Sequence, residues 1–176
     1  MRTLKLSPAR SSDIDAIAEI HVAGWQVDHG ILQDSILDGL RVSERAVLWA
    51  DWIFGPGVHT VVAEVDEQVV GFVRLCPAHP IADPAPDAIE ITHLYVHPSW
   101  QRDGKGTALL ERAVDLAGED QYARLILWVH EANRIARRFY ERFGFSPDGA
   151  RRTDPGFLEN DAAEVRYCLS VIRPAA

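Results

Sequence analysis

Cysteine is scarce in this chain: two of 176 residues, Cys76 and Cys168. Their separation fits neither a metal-ligand spacing nor a disulfide framework, so both are read as plain thiols of a reducing compartment. Long apolar runs are also missing. None approaches the ~18 residues that a membrane-spanning helix needs. The opening Met1-Arg2-Thr3-Leu4-Lys5 lacks the apolar core of a signal peptide. Positive charge is outnumbered, with 18 Lys and Arg against 26 Asp and Glu and a formal net charge of -8. That balance argues against nucleic acid and anionic membrane surfaces as partners. It mildly favours a cationic acceptor such as an amine. Repeats and low-complexity tracts are absent. The expectation is a cytoplasmic protein of one domain, long enough to bury most of its apolar surface in a single core.

The apolar 47% of the chain is patterned. Residues 3–6 alternate like a short strand. Ser12, with Asp15 three residues on, reads as a capping box, and Ile14, Ile17, Ala18, His21, Val22 and Trp25 follow at helical spacing. Further helical stretches are expected at 32–40 and from Ser43 to the Gly55-Pro56-Gly57 stop. The period then shortens. Thr60–Val65 and Val69–Leu75 read as a hairpin joined through Asp66-Glu67-Gln68. Four prolines make 77–87 a loop, and Ala88–His97 is a third strand. A helix is expected over 105–118, a buried strand over 125–130, a helix over 133–143 stopped by Gly144, and a last strand over 165–171. This is one α/β domain with helices packed on a mixed sheet.

The chemistry concentrates between the third strand and its following helix, in Val96-His97-Pro98-Ser99-Trp100-Gln101-Arg102-Asp103-Gly104-Lys105-Gly106-Thr107. A helix N-terminus carries unpaired backbone N–H groups and partial positive charge, which together favour an anion such as a pyrophosphate. Gly104 and Gly106 clear side chains from that backbone and permit unusual dihedrals, while Arg102 and Lys105 add charge. The pattern is not a P-loop, which needs Gly-x-x-x-x-Gly-Lys-Ser/Thr, nor a dinucleotide fingerprint, which needs a third glycine. A bland turn into a helix would also satisfy the glycines alone.

The surrounding residues narrow the choice. Val96-x-Pro98 followed by Gln101-x-x-Gly104-x-Gly106 resembles the acetyl-CoA signature of the GNAT superfamily, the N-acetyltransferases related to the yeast histone acetyltransferase. Asn133-x6-Tyr140-x3-Gly144-Phe145 is similar to the family's later helix. With the strand order, the resemblance covers roughly residues 60–171; before that only the helix order matches. It implies a GNAT-type, mostly antiparallel twisted sheet of six to seven strands flanked by four to five helices. Residues 1–57 would form a helical acceptor-side region, 58–145 the cofactor-binding core and 146–176 C-terminal strands.

The resemblance also implies a site. The sheet would splay between the strands at 88–97 and 125–130, and acetyl-CoA would lie in the gap. Its pantetheine arm would pair with backbone of Leu94, Tyr95 and Val96 as an added strand. A bulge near Leu94 or Tyr95 would free an N–H for the thioester carbonyl. The pyrophosphate would rest on Arg102, Asp103, Gly104, Lys105, Gly106 and Thr107, behind Gln101. Asn133 would hydrogen-bond the cofactor arm, or simply cap its helix. Tyr140 matches the phenol that returns a proton to the departing thiolate, although packing alone would also explain it.

Glu90, six residues before Val96, matches the glutamate of the histone-acetylating branch and is the first choice of base. His93 and water are the alternatives, and strict alternation puts His93 on the sheet face opposite Glu90. Members acting on protein N-termini carry a carboxylate where this chain has Trp128, a departure that weakens such an acceptor. His93 and His97 would lie over about 13 Å apart on a strand and cannot share a metal; no metal is expected. Trp25, Trp49 and Trp52 are read as core, with Trp25 a candidate for the acceptor pocket. The function implied is transfer of an acetyl group from acetyl-CoA to a small-molecule amine. A protein lysine or N-terminus as acceptor, or a silent acetyl-CoA-binding module, are the competing readings. A homodimer is compatible with all of them.

Overall fold

Alternation along the strands builds two cores on one sheet, as a computed structural model shows for residues 3–26, 38–78, 85–153 and 163–171. The strands are β1 (Leu4–Pro8), β2 (His59–Val65), β3 (Gln68–Pro77), β4 (Ala88–Val96), β5 (Arg124–His130), β6 (Ser146–Thr153) and β7 (Ala163–Ser170). The helices are α1 (Ile14–Gln26), α2 (Val42–Trp52), α3 (Lys105–Glu119) and α4 (Arg134–Phe143). The strands form one seven-stranded sheet in the order β1-β2-β3-β4-β5-β7-β6. Every neighbouring pair is antiparallel except β4 and β5, which run parallel.

The period of two sorts side chains between the faces. Val61, Ala63, Val73, Leu75, Ile89, Ile91, Leu125 and Leu127 meet Leu109, Leu110, Ala113 and Ala117 of α3 on one face. Val62 and Phe72 meet Ile17, Ala18, Ile20 and Trp49 of α1 and α2 on the other. Fully burying a side chain of this size stabilises by about 1.5–3 kcal/mol, so both helix layers are held firmly to the sheet.

Two local expectations change. A 3-10 turn at Ser11–Asp13 precedes α1 and takes the capping contact, the Asp13 carboxylate accepting the Arg10 backbone N–H at 2.7 Å, in place of the expected Ser12–Asp15 box. β6 had no periodic signal, since Ser146-Pro147-Asp148-Gly149 reads as a turn. It is an exposed edge strand whose register shifts between Pro147 and Arg151, and pairing with β7 rather than burial holds it. The helical stretch expected at 32–40 lies mostly outside the described residues.

The β2–β3 turn is tight: Val65 pairs with Gln68, leaving Asp66 and Glu67 at φ of 50° and 65°. Left-handed backbone at both positions is the type I′ geometry that favours Asn-Gly. The Glu67→Gly variant is therefore expected to gain about 1 kcal/mol in denaturant unfolding, and a loss of stability would contradict that geometry.

His21 is the polar member of the α1–α2 layer, 1% exposed. Trp49 Nε1 donates to its Nδ1 at 3.1 Å. The neutral ring therefore carries its hydrogen on Nε2. Burial first, then His93 and Arg45, depress its pKa to about 2. Above pH ~6.5, the unfolded value, both states hold a neutral ring and the stabilisation is complete. Below it, the unfolded chain takes up a proton that the folded ring refuses. Stability should then fall by up to about 1.4 kcal/mol per pH unit from this residue. Urea unfolding between pH 7.5 and 4.5 should show a shallower acid slope in His21→Asn, whose Oδ1 can still accept from Trp49. Identical slopes would contradict the assignment.

Candidate active site at the strand divergence

β4 and β5 pair over only four positions, from Ala88↔Arg124 to Ile91↔Leu127. Beyond Ile91, β4 stays with β3 as far as Val96↔Gly71, while among the described strands its pairing with β5 has ended. The register shifts where Arg74 pairs with His93 but Leu75 pairs with Ile91. Thr92 is thus the extra residue of a β-bulge, earlier than expected. A bulge bends its strand and adds twist, and this one follows directly on the last β5 pair. The opening between the strands is a cavity of about 420 Å³.

The bulge also changes which side chains share a face. Cross-strand partners put Glu90 with Cys76 and His93 with Arg74, so Glu90 and His93 point to the same side, the one covered by α1 and α2. The expectation from strict alternation fails because Thr92 adds one residue. His93 lines the cavity with Thr92, Leu94 and Tyr95. Glu90 lies in the paired segment, opposite Ile126, and is not among the lining residues. His93 Nδ1 lies 3.0 Å from the Thr92 hydroxyl. Burial, then Arg74 and Arg45, pull its pKa down to about 3, which leaves the imidazole neutral.

Beyond β4, a 3-10 turn at Pro98–Trp100 leads to α3. Gln101 Nε2 donates to the Val96 carbonyl at 2.9 Å and braces the loop against the strand end. Arg102 and Gly104 have φ of 68° and 87°, and Gly104 is the N-cap. A Cβ on Gly104 would meet open space, so its backbone angle, not crowding, calls for glycine. A Cβ on Gly106 would only reach ordinary contact with Phe139 at 3.4 Å, so the packing of α3 against α4 does not itself demand glycine there. The first helical bond runs from Ala108 N to Gly104 O, at 2.9 Å. The N–H groups of Lys105, Gly106 and Thr107 therefore have no acceptor within the helix. The Lys105 ammonium is turned inward, 6% exposed, onto the Asp103 carboxylate and over the Trp100 ring at 5.2 Å. Lys105 and Asp103 thus spend their side chains on the loop, leaving backbone and Arg102 to face an anion.

α4 closes the far side. The Asn133 side-chain oxygen accepts the Ala136 N–H at 3.0 Å, which makes Asn133 a true N-cap whose NH2 group remains. Gly144, at φ 118°, ends the helix, and Phe145 N–H bonds the Tyr140 carbonyl at 3.0 Å. These two ends fix the rotation of α4 so that Asn133, Ala136 and Tyr140 line the cavity. Burial raises the Tyr140 pKa above the ordinary phenol range. Trp128 also lines the opening, beneath the Arg152 guanidinium at 4.4 Å.

The α1–α2 side contributes residues that motif spacing did not mark. Trp25 is largely buried, yet it lines the cavity together with His21, Arg45 and Trp52. Trp25 Nε1 donates to the Tyr95 hydroxyl at 2.8 Å, and the Arg45 guanidinium lies 4.6 Å over the Trp25 ring. Trp49, by contrast, is wholly core. Gly24 allows α1 to reach β4, since a Cβ there would fall 2.4 Å from Tyr95 Cδ1. The one available signal was a histidine at an apolar position of α1. Arg45 comes from a different helix, and no local pattern announces it.

Known proteins share this arrangement. The model of the acetyltransferase (GNAT) family matches residues 16–145. A "probable N-acetyltransferase" of Mycobacterium tuberculosis is 32% identical over 154 residues, covering 83% of this chain and 82% of its own. The structure of YncA from Salmonella typhimurium, solved with its cofactor acetyl-CoA, superposes with a TM-score of 0.74 at 20% identity, covering 99% of this chain and 97% of that one. The ribosomal-protein-S18-alanine N-acetyltransferase of Escherichia coli gives 0.67 at 18% identity, covering 99% and 97%. Matched over most of its length by the family model and by a relative of similar size, the chain belongs to the GNAT family of acetyltransferases.

Proposed function

We propose that this enzyme transfers the acetyl group of acetyl-CoA directly to a primary amine of a small molecule, with both substrates bound together. The observation that carries the reading is the parting of β4 from β5 after Ile91↔Leu127, past which β4 runs on along β3 toward the amides at the start of α3. An amide-bearing arm can add to the β5-facing edge of β4 as a strand, along Leu94, Tyr95 and Val96. Its pyrophosphate then meets the backbone of 102–107 and the partial positive charge of the helix end. The Asn133 NH2 group is placed to hold the arm from the other wall.

Acetyl-CoA, when bound, supplies an activated acyl carbonyl. The amine nitrogen forms its bond to that carbonyl carbon, the carbon–sulfur bond breaks, and the sulfur leaves with the electron pair. Tyr140 keeps its proton at neutral pH because burial raises its pKa, so its hydroxyl can deliver that proton to the sulfur. The proton lost by the amine leaves past His93, which faces the cavity. With a pKa near 3, His93 relays that proton to water and does not retain it, and a proton returned from water restores the Tyr140 phenol. Glu90, deeper in the paired segment, can take part only through an intervening water. The aromatic lining from Trp25, Trp52, Tyr95, Trp128 and Tyr140 favours a compact amine over an extended polypeptide.

Tyr140→Phe is expected to slow thiol release on the order of 100-fold while changing acetyl-CoA affinity, measured by calorimetry, by less than about threefold. A parallel loss of affinity and rate would mean that Tyr140 only shapes the binding site. Absence of heat when acetyl-CoA is titrated into the unmodified protein would remove the transferase reading itself.

A further inference from the structure

The cavity has two sides of different chemistry. The edge of β4 and the α3 and α4 ends serve the thioester under the proposed function. The α1–α2 side is left for the acceptor, and its polar groups identify what that acceptor must carry besides its amine.

Arg45 is the first of these groups. It is half-buried in the lining, stacked on Trp25. None of the described residues forms an ion pair or hydrogen bond with it. Glu164 is the other ionised residue among the described lining residues, and it is held by Arg152 at 2.6 Å. Among the described residues, Arg45 is thus the one lining charge without a counterion. The ring of His21 is the second group, centred 4.7 Å from the Trp25 ring. Its Nδ1 is occupied by Trp49, and its buried Nε2, which carries the hydrogen, has no partner among the described residues. A buried donor without an acceptor is unfavourable by about 1–3 kcal/mol, and a cation withdrawn from water without an anion is likewise unfavourable. Both penalties vanish if one ligand oxyanion accepts from both groups.

We infer that the acceptor is an amine bearing an oxyanion, a carboxylate or phosphonate a few bonds from the nucleophilic nitrogen, seated between the Arg45 guanidinium and the Nε2–H of His21. The inference rests on the transferase reading and specifies its acceptor. Arg45 holds the charge, His21 fixes the orientation, and the Trp25 ring carries the intervening carbons. The amine is thereby directed toward His93, which meets His21 edge to face with ring centres 4.9 Å apart. A protein N-terminus carries an amide where a free amino acid carries its α-carboxylate, and it offers such an oxyanion only if its first side chain is acidic.

The test compares four acceptors with one carbon skeleton at saturating acetyl-CoA: an α-amino acid, its phosphonate analogue, its carboxamide and the plain amine. The two anionic acceptors should exceed the two uncharged ones in kcat/KM by at least about tenfold, and their ranking distinguishes carboxylate from phosphonate. Arg45→Gln should abolish that preference chiefly through KM, and Arg45→Lys should restore part of it. Calorimetry with the N-acetyl amino acid against its carboxamide should show the same discrimination without turnover. Equal kcat/KM for charged and uncharged acceptors, or a preference retained in Arg45→Gln, overturns the inference. If acetyl-CoA still binds in that case, the transferase reading stands and only the acceptor assignment falls.

Discussion

The separation of β4 from β5 after Ile91 and Leu127 is the constraint on which the site depends. A sheet whose central strands stay paired offers neither a free edge nor room between its faces. Here the parallel pairing lasts for four positions and ends beside the bulge at Thr92. Beyond that point the β4 edge receives the ligand under the proposed function, while its other edge stays anchored on β3. The bulge thus opens the cleft and turns His93 and Tyr95 toward α1 and α2. Leu94 and Val96 remain with the α3 core.

The helices then divide the work. α3 and α4 present their N-terminal ends, one with a left-handed glycine at its cap and one with an asparagine. α1 and α2 present side chains instead, and they form a stack of rings from His21, Trp25, Trp49, Trp52 and His93. Under the proposed function, backbone recognises the invariant part of a thioester nucleotide on one side. Side chains can select the acceptor on the other, and they alone need to differ for the same scaffold to serve a new amine.

Much of this was legible in the residue order where function rests on local chemistry. The Gln101-x-x-Gly104-x-Gly106 loop lies at a helix start, and the Asn133 and Gly144 ends of α4 fall where their residue types demand. The bulge was not legible at its true place, because Thr92 has no feature that distinguishes it from its neighbours; only the register against Leu75 reveals it. The inward turn of Lys105 was hidden for a related reason, since its partners Asp103 and Trp100 become neighbours only once the loop is folded. The α1–α2 side was the least legible. His21 and Arg45 lie on separate helices, and their common ring, Trp25, reads as core until the cavity beneath it is seen. β6 escaped notice because an exposed edge strand held by backbone pairing requires no apolar alternation.

The central claim is that the β4 edge at 94–96 and the amides at the start of α3 receive acetyl-CoA together. Hydrogen–deuterium exchange followed residue by residue, with and without acetyl-CoA, tests it most directly. The account predicts slowed exchange in two separate stretches, within 94–96 and within 102–107, while the Asp66-Glu67 turn is unchanged. Protection confined to one stretch, or in neither, would contradict it.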